Sequence, residues 1–83
     1  MSDIDHITGR QIAAARAMVG LGQVELAERA GVSAPTLRRM EASRGPVSGI
    51  PNNVRAVVRA LQDAGATFLE DDGQAGPGVR AKV

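Results

Sequence analysis

Apolar residues recur at helical spacing four times over the first 65 positions, and at strand spacing once after them. Ile12, Ala15 and Val19 fall at i, i+3, i+7, which predicts a first helix from about Gly9 to Met18 or Val19 with that face inward. Val24, Leu26, Ala27 and Ala30 mark a second helix over Gln23 to Ala30. Leu37 and Met40 mark a third, opening at Ala34-Pro35. Val54, Val57, Val58 and Leu61 give the inward face of a fourth, starting at Pro51 or Asn52 and stopped by Gly65. Beyond it, Ala66 to Glu70 leans towards strand and Val79 to Val83 alternates with period two. The Asp-, Gly- and Pro-rich stretch Asp71 to Gly78 between them predicts a β-hairpin. The expected fold is therefore mainly α, four helices followed by a C-terminal hairpin or strand.

The punctuation agrees with these periods. Thr8 and Gln11 fit a capping box at the start of the first helix. Gly20 ends that helix and Leu21 packs the corner. Gly22 then serves as an N-cap that offers no side-chain acceptor. Gly31 stands where the second helix must end and reverse, because glycine reaches left-handed backbone angles without a clash. Val32 plugs the turn and Ser33 caps the third helix. Pro35 is tolerated because first-turn amides have no intrahelical partner. Ala42 to Pro51 reads as a loop, and Met1 to Ile7 as a short flexible arm whose His6 is simply exposed. Arg16 falls on the apolar face of the first helix and so needs a partner, for which Glu41 is the obvious choice. A two-stranded ribbon is barely stable alone, so the hairpin must pack on the helices or pair with another copy.

Composition narrows the chemistry. The 83 residues suit one domain, with residues 8–65 as its helical body and 66–83 as a β-leaning segment that could serve dimerisation. Phe68 is the one aromatic residue, so the core is aliphatic and modest, and self-association would help it. The absence of cysteine excludes disulfides and thiolate metal sites. No apolar run is long enough for a membrane span, and the N-terminus lacks the pattern of a signal peptide. A cytoplasmic protein is expected. Net charge is only +1, but Arg29, Arg38, Arg39, Arg44, Arg55 and Arg59 are opposed between them by Glu41 alone. That basic middle suits a face that meets phosphate, and equally a solvated arginine face. No nucleophile–base set or phosphate-cradling glycine loop is present, so no enzyme and no cofactor are expected. Glu70, Asp71 and Asp72 lack the spacing and glycine of a calcium loop and read as a solvated turn, so no metal is expected.

Residues 23–41 carry more than periodicity. Leu21-Gly22-Gln23, Glu25-Leu26-Ala27, Ala30-Gly31-Val32-Ser33, Thr36-Leu37 and Arg39-Met40-Glu41 together resemble the Cro-like (XRE-type) helix-turn-helix domains of phage and bacterial repressors. The resemblance covers roughly Thr8 to Ser43, extends loosely to the fourth helix and does not reach the tail. It implies a compact, lambda-repressor-like four-helix domain whose third helix enters the major groove of double-stranded DNA. Carried over, base contacts fall at Ala34, Pro35, Thr36, Arg38 and Arg39. Of these, Arg39 is best suited to a bidentate bond with guanine, while Ala34 and Pro35 offer only apolar contact. Phosphate contacts fall at Gln23 and Ser33, at Arg44 in the following loop, and at Asn52 and Asn53, which otherwise cap the fourth helix. The resemblance also pairs Arg16 with Glu41 as a structural ion pair. The implied activity is that of a sequence-specific regulator, a repressor that binds a palindromic operator as a homodimer. A protein-interaction module, antitoxin-like or adaptor, is the competing reading of the same fold. No small-molecule effector domain is evident.

Overall fold

A computed structural model describes residues 7–82. Residues 1–6, with His6 and most of the expected arm, and Val83 lie outside the described residues. The chain forms α1 (Gly9–Val19), α2 (Gln23–Ala30), α3 (Ala34–Glu41) and α4 (Pro51–Asp63), then β1 (Ala66–Leu69) and β2 (Gly78–Ala81).

Each helix starts and stops for a local reason. Thr8 Oγ1 accepts the Gln11 amide at 3.1 Å while Gln11 Oε1 accepts the Thr8 amide at 2.8 Å, completing the capping box. Gly31 takes a left-handed conformation, φ 73°, at the end of α2. The next amide, Val32 N–H, then folds back onto Ala27 O at 3.0 Å, which reverses the chain within two residues. Ser33 Oγ accepts the Thr36 amide and opens α3. The helices close over an aliphatic core in which Ile12, Leu26, Leu37, Met40, Val57 and Leu61 are fully buried.

Several residues sit differently from the sequence expectation. Val24 is 58% exposed, not part of the inward stripe. At 3.6 residues per turn it points more than a quarter-turn away from the direction shared by Leu26, Ala27 and Ala30, and a two-turn helix buries only one stripe. Val19 is only partly buried. Ile7, assigned to the arm, is buried in the core, and its carbonyl accepts Val47 N–H at 2.9 Å. Asn52 and Asn53 do not cap α4. Ile50 occupies the N-cap with no side-chain bond and Pro51 is the first helical residue, so both asparagines lie inside the first turn.

The hairpin is antiparallel, with Ala66 opposite Ala81 and Phe68 opposite Val79. It packs on the helices. Phe68 and Val79 lie against the core, and Gln11 Nε2 donates to both Leu69 O (3.1 Å) and Gly78 O (2.9 Å), pinning the two strands to α1. The start of α1 is itself seated on the end of α3. A Cβ on Gly9 would come within 2.6 Å of Ser43 O and closer still to Met40 O, so only glycine permits this approach.

Candidate nucleic-acid interface

The inward bonds of α3 determine what it shows to solvent. Leu37 and Met40 are buried, and the helical period therefore places Arg38 and Arg39 outward, where both are exposed. Pro35 is exposed beside them, whereas Ala34 is partly buried against the core. The Arg38 side chain has no hydrogen-bond or ion-pair partner among the described residues. The Arg39 side chain has one, a hydroxyl: its Nη2 donates to Thr36 Oγ1 at 3.2 Å. Ser33 Oγ donates to the same Thr36 oxygen at 2.8 Å while accepting the Thr36 amide. The Ser33 hydroxyl is thus committed to its cap. The Thr36 oxygen accepts two bonds, which leaves its own proton to donate outward.

A second network fixes α3 against α1 and α2. Arg16 Nε and Nη2 donate to Glu41 Oε2 and Oε1 at 2.7 and 3.1 Å, and Arg16 Nη1 donates to Leu21 O at 3.1 Å. The hydrogen bond to Glu41 raises the guanidinium pKa above its already high ordinary value, desolvation works against this, and the charge of Glu41 adds to it. Gln23 Nε2 also donates to Glu41 Oε1, at 2.9 Å. The Gln23 side-chain amide is therefore engaged by Glu41, and Gly22 supplies no side-chain cap to α2. The main-chain N–H groups of the first turn of α2 are what this end offers to an anion.

Beside α3 lies a cleft of about 160 Å³ lined by Thr36, Arg39, Ser48, Gly49, Ile50 and Asn53. It joins three predicted residues, Thr36, Arg39 and Asn53, to three that the sequence reading missed, Ser48, Gly49 and Ile50. Ile50 is 65% exposed, and its only signal in the sequence was an isoleucine stranded in a Gly-, Ser- and Pro-rich loop. Asn52 is not part of this cleft; its Oδ1 accepts from Arg55 Nη1 at 3.2 Å. Arg44 is not part of it either, and lines a different hollow together with Arg10. Asp71 and Asp72 accept backbone N–H groups of their own turn, and no grouping of three or more metal-ligating side chains occurs among the described residues. No helix among those residues is long and apolar enough to cross a membrane.

Four helices with a Gly31 turn between a bracing helix and an arginine-bearing one define a helix-turn-helix protein. A family model described as a helix-turn-helix domain matches residues 8–67, most of the chain, and the protein belongs to that family of DNA-binding domains. The match ends within β1 and does not reach β2. No curated protein sequence matches the chain significantly.

Proposed function

We propose that the protein is a sequence-specific double-stranded DNA-binding regulator, a repressor that acts by occupying an operator. The observation that carries this reading is the outward pair Arg38 and Arg39 on α3, exposed and without a carboxylate partner among the described residues, on a helix held rigidly by Leu37, Met40 and the Arg16–Glu41 bond. In this reading α3 lies in the major groove. Arg39 reads a guanine edge, Arg38 reads a base or a phosphate, and Pro35 and Thr36 meet bases at the helix start, with Ala34 contributing only its exposed part. The first turn of α2 at Gln23, the Ser33 turn and Asn53 beside the cleft hold phosphates, which positions the domain without selecting sequence. Arg44 in the loop after α3 and Asn52 at the start of α4 are further phosphate contacts in this reading. The protein works in the cytoplasm, where bacterial-type operators are found.

One recognition helix covers too few base pairs to select a site in a genome, so we assign the protein a two-fold dimer on half-sites roughly 34 Å apart. The hairpin is the proposed contact, because Leu69 leaves an apolar side chain exposed there. Leu69→Lys is expected to weaken the dimer in sedimentation; an unchanged dimer places the interface elsewhere.

Selection of bound fragments from random DNA tests the whole reading. A palindromic preference supports it. Arg39→Ala is then expected to cost about 1–3 kcal/mol and to relax the preference at one base pair. Equal loss on every sequence removes Arg39 from base readout. Salt-independent retention, or none, would move the protein to the class of protein-interaction modules.

A further inference from the structure

We infer that a second anion seat lies between α1, the loop after α3 and the hairpin, and that it takes a phosphate group. Arg10 and Arg44, far apart in sequence, line one hollow of about 390 Å³ together with Thr8, Pro77, Gly78 and Val79. None of these residues belongs to α2 or α3, so the hollow is distinct from the α3 cleft. Among the described residues its charge is one-sided: two arginines line it and no acidic residue does. Neither guanidinium has a hydrogen-bond or ion-pair partner among the described residues. The hollow also opens at the N-terminal end of α1, whose first turn carries no acidic residue, so the positive end of that helix dipole adds to the same field.

The walls are fixed before any ligand arrives. Thr8 and Gln11 are locked in the capping box, and Gln11 Nε2 ties Gly78 O and Leu69 O to α1. Gly9 N–H donates to Gly45 O at 3.2 Å, which anchors the segment next to Arg44. Two arginines lining one hollow suit a phosphate better than a single negative oxygen, because each planar guanidinium fork can bond two oxygens. The volume exceeds that of a bare phosphate and admits a sugar phosphate. The same chemistry is presented by a phosphorylated small molecule and by the DNA backbone, and the two are separable.

The test uses the full chain. In the first arm, without DNA, ribose 5-phosphate is titrated while backbone amide and arginine Nε signals are followed by NMR. Saturable shifts at Arg10, Arg44, Gly78 and Val79, weakened about tenfold or more in Arg10→Gln/Arg44→Gln, establish the seat for a free phosphate ester. Because it contains no DNA, this arm stands or falls apart from the proposed regulator function. In the second arm, the salt dependence of DNA retention is compared for the natural chain and the double variant. A slope reduced by about two assigns the seat to backbone phosphates, and an unchanged slope with a positive first arm assigns it to the small molecule. Both arginines are exposed, so the variant should keep the melting temperature of the natural chain, and a matched thermal scan checks this. The inference fails if ribose 5-phosphate gives no saturable shift and the slope is unchanged.

Discussion

Arg16 and Glu41, 25 residues apart, meet in a two-pronged ion pair that joins α1 to the last turn of α3, with Nε 2.7 Å from Oε2. The Glu41 side chain is 8% exposed and that of Arg16 is 22% exposed. Removing one partner strands the other in a partly dry site. Glu41→Ala is expected to cost about 2 kcal/mol, below the 3–5 typical of fully buried pairs because Arg16 keeps some water. A raised guanidinium pKa gives stability that is complete below the unfolded value and lost only as pH rises through the folded one, far into alkali. The loss in Glu41→Ala should therefore be the same from about pH 6 to 9 in urea denaturation.

Gln11 works through both ends of one amide. Its oxygen serves the capping box and its nitrogen holds both strands of the hairpin. Gln11→Glu keeps an acceptor for Thr8 N–H but has no proton for Leu69 O or Gly78 O at neutral pH. A loss of about 1–3 kcal/mol is expected, with faster amide hydrogen exchange confined to β1 and β2. Exchange that rises uniformly over the helices would show that the hairpin is not held by this bond.

Helix propensity and packing disagree at Gly9, and packing should win. Alanine is favoured over glycine inside a helix by about 1 kcal/mol. At this position its methyl would be driven against the carbonyls of Met40 and Ser43. Gly9→Ala is expected to destabilise by about 1–3 kcal/mol, and a higher melting temperature would refute the close approach.

Asp72 reports on the hairpin turn. Its carboxylate accepts the amides of Ala75 and Gln74, in that order of effect, and these bonds hold its pKa below the ordinary carboxylate value. A lowered folded pKa means that the turn is supported above the unfolded value, about 3.9, and released as pH falls through the folded one. An NMR titration should show the Gln74 and Ala75 amides moving together with the Asp72 carboxyl at a pH below that of a free aspartate.

Thr36 is expected to steer Arg39. Thr36→Val keeps the shape but removes the oxygen that accepts from Arg39 Nη2 and Ser33 Oγ. If Arg39 reads a base as proposed, this change should broaden the preference at the same base pair as Arg39→Ala while costing less affinity. Selected-site profiles of the two variants make the comparison.

The sequence by itself determined the helices, their ends and the turn between α2 and α3. These depend on neighbours within four residues: the apolar period, the Thr8 and Ser33 caps, and a left-handed Gly31. It also pointed to the Arg16–Glu41 bond, because a cation on an apolar stripe demands a partner. Only the tertiary structure decided that Val24 faces water, that Ile7 joins the core, that Gly9 must lack a side chain, and that Arg10 and Arg44 share one hollow while Asn53 joins Arg39 in another. A local period says which residues share a face. What that face meets depends on how segments distant in the chain come together, and the capping glutamine Gln11, whose other end holds the hairpin more than fifty residues away, carries no local mark of that second task.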